Sequence, residues 1–413
     1  MASPRKSKSA DISSAAVPPD ALEHAFPKLH LPLQPPYPPA EAKSVKDVPH
    51  EAGWLYEPKW DGFRCLAFRN GDEIVLQSKA GQPLGRYFPE TVAALLALPA
   101  RKFVLDGEIV IRSGAGLDFD ALLQRIHPAA SRIQRLSQET PSTYLVFDLL
   151  VDAKGRSITA NPLSARRMAL QEFASEYLGE KALGNPASKS QTEAATAIKA
   201  DARIQLSPAS SDSTTAETWM REGAASGWDG VIAKRLDCEY TSGERTGMVK
   251  IKRIRTADCV VGGFRWARKP AKPTAAIAGK KPGPATSGSK KKSDKEVGSL
   301  LLGLYNDRGE LDHIGFSSSF TREERKKLKS ILQPYMGGEG FTGKAPGGPS
   351  RWARDAADTE WFGLKPKLVG EFQFDHFSGG RFRHGTKFLR WRPDKKPSQC
   401  TIDQVIPRKS KAA

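Results

Sequence analysis

The stretch Glu57-Pro58-Lys59-Trp60-Asp61-Gly62-Phe63-Arg64 puts a lysine where a freely trailing surface lysine would not sit. An apolar run over residues 53–56 leads into it, and a second, residues 63–68, follows the Asp61-Gly62 turn. A lysine held between two strands is poorly solvated, so its ammonium sheds a proton more readily and the amine becomes a nucleophile. An amine that attacks the α-phosphate of a nucleotide needs four further things: a seat for the base, hydrogen bonds to the ribose, cations for the phosphates and a carboxylate for a metal. Candidates for each follow along the chain. Glu108 is a carboxylate inside the apolar run 103–111, a costly place without specific hydrogen bonds. Phe147, in the run 144–151, can present its ring to a base. Asp229 opens a buried strand. Lys250 and Lys252 alternate with Val249 and Ile251, so both ammonium groups leave one strand face. Two cations there suit a triphosphate and are expected to lower the pKa of Lys59. Taken singly, each residue has a plainer reading as core filler, turn residue or solvated strand face. Those readings leave unexplained why all of them occur together in this order.

The elements that must position these groups can be read from periodicity and turn chemistry. Strands are expected at 63–69 and 74–78, about an Asn70-Gly71-Asp72 turn, and at 103–111, interrupted at Asp106-Gly107. Further strands are expected at 144–151, 230–233 and 248–253. Helical spacing covers 89–98, 118–126, 162–177 behind Asn161 as cap, and 215–225. Beyond residue 255 the pattern turns to short, glycine-bearing strands, which suggests a small barrel such as an OB-fold. The expected fold class is α+β. A mixed α/β domain covers 23–255 and a β-barrel domain 256–396, with tails at 1–22 and 397–413. Within the barrel, residues 267–295 carry eight lysines and Arg268 against Asp294, and read as a flexible basic insert.

Composition narrows the partners. Lys and Arg number 64 against 46 Asp and Glu, a net +18 over 413 residues, and such an excess points to a polyanion, most often nucleic acid. No apolar run approaches the roughly 18 residues of a membrane span, and no apolar secretory core stands at the N-terminus. Cys65, Cys238, Cys259 and Cys400 show no C-x-x-C spacing, which speaks against a zinc site or disulfide framework and for a reducing cytoplasm.

Six ordered stretches resemble the motifs of the ATP-dependent DNA ligases. They are Lys59–Arg64, Leu105-Asp106-Gly107-Glu108, Leu145-Val146-Phe147-Asp148, the run 229–234, the run 248–252 and the run 388–395. The likeness is strongest to the small bacterial C-type ligases and to the ligase module of end-joining ligases. It implies an adenylation domain followed by an OB-fold domain, with ATP as cofactor. Lys59 would become the AMP-linked lysine, Glu57 would meet the adenine amino group, and Phe147 would stack on the base. Arg64 and Glu108 would meet the ribose, with Lys79 at the family's Ser-Arg-x-Gly position. Asp229 and Glu108 would serve a divalent metal, Mg²⁺ or Mn²⁺. Lys250 and Lys252 would hold the α-phosphate, while Arg390, Arg392, Asp394 and Lys395 would orient the departing pyrophosphate. Two positions depart from the family pattern: Ser78-Lys79-Ala80-Gly81 has lysine for arginine, and Asp229 stands where glutamate is usual. The implied protein is a monomer at the bacterial nucleoid, acting on nicked double-stranded DNA in repair alongside separate repair proteins. An RNA ligase, a capping guanylyltransferase and a non-catalytic nucleic-acid binder on the same scaffold are the rival readings.

Overall fold

The computed structural model describes residues 26–113, 116–179, 202–226, 228–267, 296–347 and 360–406. The chain forms two compact units, Met1–Arg253 and Ile254–Ala413. The tail at 1–22 and all of the basic insert beyond Ala267 lie outside the described residues.

Unit 1 is built from β1 (Lys43–Val45), β2 (Trp54–Trp60), β3 (Phe63–Asn70), β4 (Glu73–Ser78), β5 (Lys102–Ser113), β6 (Gly116–Leu117), β7 (Ser142–Val151), β8 (Ile204–Leu206), β9 (Trp228–Arg235) and β10 (Met248–Lys252). One sheet has the order β1-β10-β9-β2, the other β4-β3-β5-β7-β8 with β6 on β5. All ten residues of β7 are buried, which is why its sequence is apolar almost without alternation. The break expected at Asp106-Gly107 is absent. Strand β5 runs through it, and only the register with β7 slips there.

Helices pack on these sheets. Helix Pro89–Leu96 ends on Arg69, which donates to the carbonyls of Leu95, Leu96 and Leu98 and so satisfies groups a helix terminus leaves open. Helix Leu163–Phe173 starts from Pro162 with no side-chain cap. Asn161 is not its cap; its carbonyl instead accepts from Arg166. Helix Ala130–Glu139 was not expected, because its sequence is largely polar and buries only Ile133 and Ser137.

Unit 2 contains β11 (Arg255–Trp266), β12 (Val297–Tyr305), β13 (Leu311–Ser317), β14 (Phe362–Gly363), β15 (Val369–Phe374), β16 (Phe377–Ser378), β17 (Arg381–Phe382) and β18 (Lys387–Trp391). The sheet order is β13-β12-β11-β15-β18, with β14 on β11. Among the described residues the expected barrel is not closed by a ladder: a single bridge, Ser317–Thr386, joins the end of β13 to the residue just before β18. Helix Arg322–Leu332 was also unexpected, yet its start carries a full capping box between Thr321 and Glu324. Residues 397–406, expected as tail, are instead packed. Cys400 and Val405 lie in the core of unit 2, and Thr401 bridges to Tyr305.

Candidate active site

The nucleophile candidate sits at an irregularity between two strands. On β2 and β9 the pair Pro58–Val231 is followed by Trp60–Trp228, so Lys59 alone faces both Asp229 and Gly230. An extra residue of this kind re-aims a side chain. Strict alternation would place Asp229 with Val231, on the face that packs in the core with Tyr56, Trp219 and Ile251. The bulge instead brings its carboxylate to Lys59, with Nζ donating to Oδ1 at 2.6 Å. Gly230 is required there, since a Cβ would collide with the Ile251 carbonyl.

Register then decides what shares the face of Lys59. Glu57 pairs with Ile232, Leu55 with Lys234, Lys234 with Met248, Ile232 with Lys250 and Gly230 with Lys252. Glu57, Lys59, Lys234, Lys250 and Lys252 therefore project from one side of the sheet, whose other side is core.

The second sheet supplies the remaining groups. Arg64 on β3 lies directly across from Glu108 on β5. Its guanidinium is held by both oxygens of Asp106, each at 2.6 Å, and Asp106 also accepts the Tyr240 hydroxyl at 2.6 Å. Arg64 Cζ lies 4.6 Å from the centroid of the Phe147 ring, and Lys234 Nζ lies 4.5 Å from it. The ring assigned to a base thus carries two cations, and only 7 % of the residue is exposed. Glu57 is buried between Lys234 at 2.8 Å and Arg167 at 3.5 Å. The Lys234 contact is short but off the line of a directed hydrogen bond, so it acts as charge against charge. Behind it, Arg166 and Asp148 form a buried two-point pair.

The expected lowering of the Lys59 pKa is reversed. Burial is the largest single influence and pushes it down, but the charge and hydrogen bond of the adjoining Asp229 carboxylate, together with Asp61 and Glu108, outweigh it and raise the pKa. The lysine is stored as an ammonium. Glu108 moves the other way from an ordinary carboxylate: burial pushes it up to about 8, against the pull of Arg64 and Lys59. Because its folded pKa exceeds the usual 4.5, the folded protein binds the extra proton between those values. Stability must then fall as pH rises through that window. In thermal melts of the ligand-free protein from pH 5 to 9, Glu108→Gln is expected to gain on the parent as pH rises. Parallel curves would show that Glu108 titrates as a surface carboxylate.

Asp229 and Glu108 are hard oxygen donors in reach of the same lysine field, which suits a small divalent cation that keeps water and phosphate as its other ligands. Among the described residues no group of three or more His, Cys, Asp or Glu is placed to hold a metal by itself. Lys79, at the family's Ser-Arg-x-Gly position, is held by an ion pair with Glu41 at 3.2 Å, and Arg245 shares that carboxylate.

In unit 2, Arg390 pairs with Glu371 at 2.7 Å. Arg392 is gripped by Asp258 and Asp394, and Lys395 by Asp258. The hydrogen bonds from Arg392 hold Asp394 down at about 2. The sequence reading missed Asp106, Lys234, Arg167, Tyr240, Asp258 and Glu371. The available signal was a charge inside an apolar strand, which Asp106, Lys234, Asp258 and Glu371 all show as clearly as Glu108 does.

Comparison with known proteins identifies the family. The family described as ATP dependent DNA ligase domain matches residues 39–252, and that described as ATP dependent DNA ligase C terminal region matches 293–395. DNA ligase C1 of Mycolicibacterium smegmatis is 42 % identical, over 91 % of this chain and 96 % of its own. The multifunctional non-homologous end joining protein LigD of Mycobacterium bovis is 29 % identical, over 84 % of this chain but 37 % of its own length. The solved structure Pmar-Lig_PreS3 matches with a TM-score of 0.50 at 15 % identity, over 83 % of this chain and 64 % of that one, a likeness of fold alone.

Proposed function

The chain belongs to the ATP-dependent DNA ligases, and from that premise we propose that it seals nicks in duplex DNA through an AMP joined to Lys59. The contact between Lys59 and Asp229, on a sheet face lined with Glu57, Lys234, Lys250 and Lys252, carries this reading. In the first step the Lys59 amine attacks the α-phosphate of ATP. A phosphorus–nitrogen bond forms and the bond to the β-phosphate breaks, with pyrophosphate leaving. The proton on Lys59 must go first, and Asp229, which already accepts from Nζ at 2.6 Å, can take it. Lys250 and Lys252 balance charge at the α-phosphate. Glu57 accepts from the adenine amino group, while Arg64 and Glu108 bind the ribose. Seating the base on Phe147 requires Arg64 or Lys234 to give up part of the ring. Asp229 and Glu108 would hold a divalent cation, Mg²⁺ or Mn²⁺, which would neutralise phosphate charge when bound.

In the second step AMP passes to the 5′-phosphate at the nick, and in the third the 3′-hydroxyl attacks that phosphate and releases AMP. The net charge of +18 provides for contacts to duplex phosphates without base preference. In this reading the protein acts in DNA repair, as a monomer at the nucleoid beside separate repair proteins; the likeness to a relative named for end joining supports the repair role. No helix among the described residues is long and apolar enough to cross a membrane.

Labelled ATP followed by nicked DNA or nicked RNA tests the proposal. The protein should become labelled with release of pyrophosphate, and nicked DNA should then discharge the label as it is sealed. Transfer to RNA alone would overturn it. Arg390, Arg392, Asp394 and Lys395 act in this reading on the departing pyrophosphate. Arg392→Ala should therefore slow labelling by ATP roughly 10-fold or more, the scale of one lost charge-assisted contact. Sealing of a nick that already carries 5′-AMP should change much less. Equal loss in both assays would assign Arg392 to DNA contact or folding.

A further inference from the structure

In unit 2 the cations of the 390–395 stretch are not loose. Asp258 on β11 lies directly across from Glu371 on β15, and Glu371 lies across from Arg390 on β18. One row across three strands thus presents two carboxylates to the cations that follow. The Asp258 carboxylate accepts from Arg392 Nη1 at 2.9 and 3.1 Å and from Lys395 Nζ at 2.6 Å. Asp394 takes the other edge of the same guanidinium, with contacts of 2.7 to 3.2 Å from Nε and Nη2. The backbone of Asp258 is clamped in turn. The Gln404 side chain accepts its N–H at 3.1 Å and donates to its carbonyl at 3.1 Å. Gln404 belongs to the stretch that the sequence suggested was tail.

This arrangement has a physical consequence for Arg392 and Lys395. Both are long side chains whose rotamer freedom must be given up before they can act on a leaving group. A guanidinium presents its donors in a rigid fork, so carboxylates on two edges fix its plane as well as its position. Asp258 is only 8 % exposed, and a carboxylate that deep is tolerated because two cations meet it. The ion pairs lie within unit 2, so the cations are ordered before any nucleotide arrives. Groups ordered in advance act at no further entropic cost during the transfer.

We propose that Asp258 is a positioning residue for nucleotide transfer: through its pairs with Arg392 and Lys395 it fixes the geometry in which those two act on the departing pyrophosphate. It touches neither ATP nor DNA. The proposal rests on the role given above to residues 390–395. A competing role, in which Asp258 stores the two cations and must release them, predicts the opposite sign for its removal.

The experiment uses the full chain carrying Asp258→Asn, which keeps the shape and one acceptor but removes the charge, and Asp258→Glu, which keeps the charge. Labelling of the protein by ATP is followed over a range of ATP concentrations, and sealing is followed separately on a nick already bearing 5′-AMP. Asp258→Asn should lower the maximal labelling rate about 10-fold, the scale of a lost charge-assisted contact, with KM for ATP little changed and sealing of the adenylated nick retained. Asp258→Glu should recover part of the rate. Asp258→Asn should slow Arg392→Ala by less than it slows the parent, since only its pair with Lys395 is then left to lose. Labelling by Asp258→Asn at or above the parent rate overturns the proposal in favour of storage. Equal loss of labelling and sealing overturns it in favour of a purely structural carboxylate. If Arg392→Ala itself labels normally, the reading of 390–395 has failed; if Arg392→Ala is slow and Asp258→Asn is not, only the positioning role has.

Discussion

Lys59→Arg is expected to leave no AMP on the protein. The substitution keeps a cation beside Asp229, where Lys59 Nζ now donates at 2.6 Å, so the ion pair that anchors this strand irregularity survives. It removes the nucleophile, because a guanidinium stays protonated at any pH the protein withstands. An amine can lose its proton even from a raised pKa, whereas arginine cannot. Loss of an essential nucleophile typically costs on the order of 10⁴-fold or more, so label from ATP should fall below detection in denatured Lys59→Arg protein. The third step needs no free amine, and a nick already carrying 5′-AMP should still be closed. Label retained at the parent level would remove Lys59 from the role assigned here.

The residues that meet at Lys59 were more legible in the sequence than the geometry that joins them. Lys59 and Asp229 are 170 positions apart, and each stood out in the sequence, Lys59 as a lysine between two apolar runs and Asp229 as a carboxylate opening a buried strand. The bulge that turns Asp229 toward the lysine did not, because it depends on the pairing of β2 with β9 and on the absence of a Cβ at Gly230. The pKa error has the same origin. Composition shows that Lys250 and Lys252 are cations, but the sign of a shift is set by distance, and Asp229 is nearer.

The fold was readable to a similar depth. The change near residue 255 from mixed elements to short glycine-bearing strands corresponds to the division between Arg253 and Ile254. Helix Arg322–Leu332 escaped notice because seven of its eleven residues are charged, Arg322, Glu323, Glu324, Arg325, Lys326, Lys327 and Lys329 among them. Its stripe of Leu328 and Leu332 is too thin to show as a period, although the capping box at Thr321 was available. The stretch after 397 misled for a related reason. It is short and polar, and is tied down by Cys400, Val405 and the Gln404 side chain, contacts that only the folded partner strands make visible.

Asp229→Asn should produce two effects that move apart. Asp229 is the neighbour that raises the pKa of Lys59, while burial works against the charge. Without the carboxylate, burial is opposed only by the weaker pull of Asp61 and Glu108, and the lysine pKa falls. The pH dependence of labelling by ATP should report this directly. In the parent the rate rises with pH as the ammonium loses its proton, and in Asp229→Asn the same rise should begin at lower pH. The maximal rate should nevertheless drop, by roughly 10²-fold, because the amide is a poor ligand for a hard divalent cation and leaves the phosphate charge less compensated. The metal concentration needed for half-maximal labelling should rise as well. A rate measured only at neutral pH would mix the two effects, so the whole profile must be taken at several Mg²⁺ concentrations. An unmoved pH midpoint would show that Asp229 does not govern the proton on Lys59. An unmoved metal requirement would show that its carboxylate serves the lysine alone, leaving Glu108 to meet the cation.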